Sequence, residues 1–519
     1  MVFIGDMGTS GGGHPSDLRP TFVRIDLGAL ARNFARIRDL VAPRRVWCVV
    51  KADAYGHGAV EVARRLAAAG AGAFAVATVD EGIELREAGI EGEILLMGGI
   101  EPLAFDGGGA APGVEANGPG GDGGSGARAG DLGGGWSGAR AGELGGDRTR
   151  TRDAAAAVAH YRLSVAVWGP QAAVELGAAA RRAETGPVDL HLKADTGMGR
   201  LGVRVDDSCD AAVELARKVA ATEGVRLAGL FSNLAAADAP PGAPGAAHTA
   251  EQVGRFGRLC ATLDEAGLLP EHRHLANSAA IQQHADSWAV DWCNGVRPGL
   301  ALYGASLVAG GGAATAGAAG EASRGASKVG SGTDGGGKPV DGGGSRAGPH
   351  GGTGAGDVRS AMNAREGDRA AVPASPSWPR LEPVMSWHSA VAAVREVPAG
   401  WPLGYGAGRR AERAGTIGVV PVGYHDGLPR ALGDRAEVLV AGRRAKVVGA
   451  ISMDLTLVDI SGIPGARVGA PVVIFGRSAA PGGGAIAVEE VAGWAGSIAH
   501  EVLCRVSKRV PRRFVETVS

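Results

Sequence analysis

The chain has 519 residues, 45% of them hydrophobic, and a formal net charge of −1. That length is more than one compact core holds and predicts about two to four domains. The balanced charge removes any electrostatic case for nucleic acid or an anionic membrane surface, and no stretch reaches the ~18 apolar residues a membrane span needs.

Met1 to Asp17 lacks a basic start followed by an apolar run, so it reads as a disordered tail (1–18) rather than a signal peptide. From Phe22 to Leu307, apolar runs alternate with amphipathic stretches. Strands are predicted at Val46–Val50, Ala73–Ala77, Ile94–Met97, Leu163–Val167, Val188–Leu192, Leu227–Phe231, His272–Ala276 and Cys293–Val296. Between them, helical spacing marks Gly58–Ala69, Gln171–Arg182, Ala211–Ala221 and Thr249–Ala266. About eight such units predict an N-terminal (β/α)8 TIM-type barrel over 19–308. Two Gly-rich segments, about 106–153 and 309–378, have no apolar period and read as flexible insertions, because glycine loses much entropy on ordering and buries little. After the second, short strand-like runs separated by turn residues (Ala390–Glu396, Gly415–Val420, Ala436–Val440, Lys446–Val448, Val472–Phe475) predict a C-terminal β-rich, barrel-like domain over 379–519. The fold class is therefore α/β plus all-β. The cysteines (Cys48, Cys209, Cys260, Cys293, Cys504) are odd in number, far apart and without a C-x-x-C pair. That pattern predicts buried thiols in a reducing compartment, a cytoplasmic enzyme and no metal site.

The chemistry concentrates first in VWCVVKADAYGHG, Val46 to Gly58. Lys51 follows a buried-type strand directly, at the carboxyl end of a predicted barrel strand, where barrel active sites sit. Desolvation there lowers an amine's pKa and makes it a nucleophile toward an aldehyde. Taken alone, Lys51 reads first as a lysine snorkelling to solvent, and Tyr55 as a packing residue.

The surroundings decide between these readings. KADAYGHG resembles the cofactor-lysine motif of the alanine racemases, which are fold-type III pyridoxal-phosphate enzymes. HLKADTGMGRLG, HLANSAA, VRPGLALYG, VGYHDG, ISMD and KRVPR resemble that family's segments in the same order. Each has to match independently, so together they are specific. The resemblance implies pyridoxal 5′-phosphate as cofactor, alanine as substrate, D-alanine for peptidoglycan as product, and a homodimer with shared sites. It makes Lys51 the Schiff-base lysine and one catalytic base, with Tyr424 the base on the opposite face. It places Arg297 at the pyridine nitrogen, and Tyr55, Ser278, Gly299 and Leu300 at the phosphate. Arg200 becomes the clamp on the substrate carboxylate, and Met453 and Asp454 reach the substrate from the partner subunit. Asn277 and His274 support the cofactor site, and Lys193 is a lysine often carbamylated in the family. An arginine at the ring nitrogen is almost never deprotonated, so it keeps that nitrogen unprotonated. Asn277 also suits a helix cap.

The sequence departs from the family pattern at five places. Asn233 replaces a ring-side histidine, His500 a tyrosine that touches the phosphate, His425 a small residue, and Ala390 and Ala450 frequent arginines. Either these are drift at tolerant positions, or His425 or His500 partly replaces the lost imidazole. A broader amino-acid or serine racemase on the same fold stays open as an alternative. A fold-type III decarboxylase or a cofactor carrier is disfavoured by Arg297 and Arg200.

Overall fold

The computed structural model describes residues 19–100, 146–240, 242–305, 377–406 and 408–518. The expected tail and most of both Gly-rich segments therefore lie outside the described residues. The first Gly-rich segment, expected to run to about 153, overlaps an ordered element, because Gly146–His160 is a helix.

The parallel sheet follows the alternation in the sequence. Its order runs Arg45–Val46, Gly295–Arg297, His272–Asn277, Val225–Phe231, Val188–Asp195, Ser164–Val167, Glu93–Leu96, Ala73–Val76, Cys48–Val49. The first and last segments in that order are one strand broken at Trp47. Trp47 N–H donates to Val296 O at 2.9 Å and Val49 N–H to Pro298 O at 3.0 Å, so the sheet returns on itself as a barrel. These strands are buried on both faces, as in Ala73–Val76, which is why they read as unbroken apolar runs. The helices between them have one apolar stripe each and lie outside. Their starts are written locally: Thr78 caps Val79–Glu87, Asn277 caps Ser278–Gln283, and Pro170 and Pro244 open their helices. Inside the barrel, glycines make room for large rings. A Cβ on Gly295 would enter Trp47, and one on Gly229 would enter His191.

The C-terminal region is β-rich. One sheet orders Arg443–Lys446, Glu437–Val440, Pro471–Arg477, Met385–Ala390, Phe22–Asp26 and Arg512–Val515, with Ala485–Ile486 beside Pro471–Arg477. A second joins Ala393–Val397, Gly415–Val420 and Thr456–Asp459, and a bridge from Val447 to Val458 links the two. Phe22–Asp26 thus differs from its expected place. It precedes the first barrel helix in sequence but pairs antiparallel with Met385–Ala390 and parallel with Arg512–Val515. Asp26 caps that helix through Ala29 N–H at 2.9 Å and also accepts from Thr517 Oγ1 at 2.6 Å. One carboxylate therefore ties the barrel to the far end of the chain. The predicted strand Ala390–Glu396 is two strands with a break at Val391–Ala392. Four cysteines are buried, Cys504 is exposed, and all five are free thiols. Among the described residues, no helix is long and apolar enough to cross a membrane.

Candidate active site

Lys51 stands at the carboxyl end of its barrel strand, half-buried, where the chain turns left-handed. Ala52, Asp53, Ala54 and Tyr55 all have φ between 52° and 55° and ψ between 39° and 50°. A left-handed turn of L-residues costs about 1–2 kcal/mol per residue, so the surroundings must hold it. Ala54 N–H donates to Val50 O at 2.8 Å, Ala59 N–H to Asp53 Oδ1 at 2.8 Å, and Ala52 N–H to Glu81 Oε1 at 2.6 Å. His57 Nδ1 lies 2.9 Å from Ala54 O and 3.0 Å from Tyr55 O, and Arg512 donates to Gly56 O. Burial pushes His57 down to about 4, so the imidazole is neutral and Nδ1 carries the proton. Its ring stacks on Tyr303 at 4.3 Å, and Tyr303 Oη donates to Val49 O at 3.0 Å, fixing the strand just before Lys51.

Next to this turn, hydroxyl and backbone groups converge. Ser278 Oγ accepts from Gly299 N–H at 2.8 Å and Ala301 N–H at 3.2 Å. With both lone pairs used, its O–H is left as a donor. A Cβ on Gly299 would stand 2.5 Å from Tyr55 Oη, so glycine is what lets the phenol approach this backbone. Burial pushes the Tyr55 phenol up, which keeps it a donor. Leu300 opens the short turn Leu300–Tyr303, and Asn277 Oδ1 accepts from Ala280 N–H at 3.0 Å.

Arg297 is buried at the end of its strand. Nη1 donates to His274 O at 2.6 Å and to His274 Nδ1 at 2.7 Å. Nη2 donates to Ser232 O at 2.5 Å and Leu275 O at 3.1 Å. Burial pushes the guanidinium down to about 10, still charged at neutral pH. Because arginine only donates, His274 Nδ1 must accept, which puts the histidine's proton on Nε2. That atom meets His191 Nδ1 at 2.9 Å, so the His191 proton also sits on Nε2, facing Glu93 Oε1 at 3.1 Å. Glu93 pairs with Arg45 at 2.8 Å. Burial acts to raise its pKa, but His191 and Arg45 hold the carboxyl down at about 2. The chain from Arg297 to Glu93 crosses the barrel with each proton assigned by the one before.

The barrel mouth is rich in cations. Lys193 is buried, donates to Met97 O at 3.2 Å and lies 5.5 Å from the Phe231 ring centre. Burial, then Arg200, Arg297 and Lys51, push it down to about 8. Lys51 is lowered by burial and by Arg200, against the pull of Glu81 and Cys504. Arg200 is exposed on the loop after Val188–Asp195. Asp195 shapes that loop by accepting from the N–H groups of Gly197, Met198 and Gly199. From the C-terminal region, the helix Ala499–Arg505 brings His500 to within 5.7 Å of the Tyr55 ring. The backbone carbonyl of Asn233 accepts from Gln252 Nε2 at 3.0 Å.

Tyr424, Met453 and Asp454 form a second group on the C-terminal region. Tyr424 N–H donates to Ser452 O and His425 N–H to Met453 O, both at 3.0 Å. Buried Asp426 anchors the loop by accepting from Arg19, from Gly423 N–H at 2.8 Å and from Arg509 at 2.7 Å. Arg509 also pairs with Asp454 at 2.7 Å. These three residues and His425 line an open cavity of about 990 Å³ that excludes Lys51. Tyr424 is 44% exposed and Met453 51%.

The structure thus gathers Lys51, Tyr55, Lys193, Arg200, His274, Asn277, Ser278, Arg297, Gly299 and Leu300 at one barrel end. It keeps Tyr424, Met453 and Asp454 together elsewhere on the same chain. Sequence reading assigned no role to His191, Glu93, Glu81, Tyr303 or Asp426. His191, Tyr303 and Asp426 lie inside the motifs that carried the resemblance, and Thr78-Val-Asp-Glu81 has the spacing of a capping box.

Family models for the alanine racemase N-terminal domain match residues 25–107 and 142–307, and for the alanine racemase C-terminal domain residues 384–514. The alanine racemase of Sorangium cellulosum is 33% identical over 96% of this chain and 100% of its own length. That of Desulfovibrio desulfuricans is 30% identical, over 96% and 99%. Among solved structures, the alanine racemase of Streptomyces coelicolor A3(2) aligns with a TM-score of 0.66 at 28% identity, covering 97% of this chain and 99% of that one. The biosynthetic alanine racemase of Pseudomonas aeruginosa aligns at 0.63 and 28%, covering 96% and 100%. This chain belongs to the alanine racemase family.

Proposed function

We propose that this chain is a pyridoxal-phosphate-dependent alanine racemase, interconverting L- and D-alanine with Lys51 and Tyr424 as the two bases. The barrel mouth carries the reading: a half-buried lysine whose pKa is lowered by burial and by Arg200, with Lys193 and Arg297 nearby and the Ser278 and Tyr55 hydroxyls left as donors. Pyridoxal phosphate fits that donor set. Its phosphate suits the free Ser278 O–H, the protonated Tyr55 phenol and the backbone of Gly299 and Leu300. Its ring nitrogen suits Arg297, whose charge and fixed position disfavour a proton there. When bound, the cofactor supplies an electron sink for a carbanion at Cα.

The chain's own groups then do the proton work. Lys51 Nζ takes or returns the Cα proton on one face, and Tyr424 Oη does so on the other. Arg200 holds the substrate carboxylate. Since Tyr424, Met453 and Asp454 are exposed and apart from Lys51, a homodimer supplies them from the partner subunit. Lys193, at about 8, keeps enough neutral amine to add CO2 as a carbamate with loss of a proton, placing an anion near Arg200. The free thiols suit the cytoplasm, where D-alanine would feed peptidoglycan.

The test is to incubate the protein with L-alanine in deuterated water and measure D-alanine and Cα deuteration. Conversion of serine or lysine but not alanine overturns the substrate. Lys51→Ala is expected to lose the visible band of bound pyridoxal phosphate, and a band that survives overturns the cofactor assignment.

A further inference from the structure

Glu81 has no part in these roles, yet it touches the chain beside Lys51. It sits in the first turn of Val79–Glu87. Its N–H donates to Thr78 Oγ1 at 3.3 Å, and its Oε2 accepts from Thr78 N–H at 3.2 Å, an ordinary capping box. A capping box needs no more than that. Here Oε2 also takes Ala77 N–H at 2.7 Å, and Oε1 takes Ala52 N–H at 2.6 Å from the neighbouring barrel loop. Ala52 is the chain neighbour of Lys51 and the first of the four left-handed residues. One carboxylate therefore ties together the ends of two adjacent barrel strands. Only a carboxylate offers acceptors on both oxygens, and a glutamine would turn an NH2 toward one set of donors.

Charge points the same way. The groups that act on Lys51 are Arg200, Arg297 and Lys193 on the cationic side, and Glu81 and Cys504 on the other, while burial pushes the nearby His500 down so that it is neutral near pH 7. Burial pushes the Cys504 thiol up, so it is neutral near pH 7 and Glu81 is left as the anion among them.

We propose that Glu81 is the positioning residue for Lys51, fixing the left-handed turn that aims the lysine and serving as its counter-charge. The proposal deepens the reading of Lys51 as the cofactor lysine. It is tested on the full chain freed of cofactor, by acetylating Lys51 with acetic anhydride across pH and reading its labelling by mass spectrometry. In Glu81→Gln, loss of the anion favours the free amine, so the labelling midpoint is expected to fall by about half a pH unit or more. Spectral titration with pyridoxal phosphate is expected to show about tenfold weaker binding. Glu81→Asp keeps the charge but is too short for Ala52, so it weakens binding while its midpoint stays nearer the parent's. Thr78→Ala removes the cap but not the Ala52 contact, and should lower the melting temperature without moving the midpoint. An unmoved midpoint in Glu81→Gln, or an equal shift in Thr78→Ala, overturns the proposal. A parent chain that takes up no pyridoxal phosphate would instead sink the functional reading, and the labelling midpoints would still decide the role of Glu81.

Discussion

The barrel mouth and the Tyr424 face are made by opposite means. At the mouth, Arg297, His274, Lys193, Tyr55 and Ser278 are all buried; the polar atoms of Arg297, His274 and Lys193 are held by atoms of the same chain, and the Ser278 and Tyr55 hydroxyls are left as donors. At the other face, the loop backbone is pinned by Asp426 while the side chains of Tyr424 and Met453 stand in water. Burial has already moved the Lys51 amine toward use as a base. A tyrosine has a reference pKa of about 10 and needs an environment that makes it usable near neutral pH. One region carries its environment within the chain, and in the proposed homodimer a second copy would supply the other's.

The largest effects should break that comparison. Lys51→Ala is expected to abolish racemisation in both directions. Tyr424→Phe is expected to slow it by roughly 10²–10⁴-fold while leaving the cofactor bound. If each site takes its lysine and its tyrosine from different chains, the two inactive variants should complement each other. An equal mixture, allowed to exchange subunits, should regain roughly a quarter of the parent activity, because half the dimers then carry one intact site. No recovery after subunit exchange, shown by mass spectrometry of the mixed dimers, would place both bases in one chain.

A smaller effect separates the two regions by stability. Arg297→Ala leaves the carbonyls of Ser232, His274 and Leu275 and the His274 Nδ1 without their donor in a closed core. The expected loss is about 2–4 kcal/mol in denaturant unfolding of the cofactor-free chain. A substitution at exposed Tyr424 should stay within about 0.5 kcal/mol. Equal losses at the two positions would mean that the Tyr424 loop is buried in the isolated chain.

The same contrast governs what the sequence discloses. The barrel strands were legible because burial on both faces writes a continuous apolar run, and the helices because one stripe repeats at helical spacing. Lys51, Tyr55, Arg297 and Tyr424 were legible through short motifs whose members lie close along the chain. The Arg297–His274–His191–Glu93 path was not, since it joins four strands distant in sequence, and no local pattern links Glu93 to His191. The left-handed turn after Lys51 was hidden as well, because Ala-Asp-Ala-Tyr holds no glycine to announce positive φ, and one of its supports, Glu81, comes from the first turn of the helix after the next strand. The strand Phe22–Asp26 reads as the start of the barrel by position. Only its pairing with Met385–Ala390 and Arg512–Val515, both far along the chain, puts it in the C-terminal sheet.

Lys193 gives the finest test of the mouth as a region built by burial. Its folded pKa is about 8, against 10.5 for a free lysine. Between those values the unfolded chain holds a proton that the folded chain lacks, so this group makes stability rise with pH across that window. The cost of the buried ammonium is present in full below about pH 8 and is relieved as pH approaches 10.5. Allowing for water at the barrel mouth, it is about 2 kcal/mol. Lys193→Met removes that cost at every pH, and also removes the bond to Met97 O, worth about 1 kcal/mol. In carbonate-free buffer, which prevents carbamate formation, the variant should therefore gain on the parent at pH 7 and lose that gain by pH 10.5. The measurement is denaturant unfolding at both pH values. Parallel curves for parent and variant would mean that Lys193 sits in water, and that the cation-rich mouth is less closed than its neighbours make it.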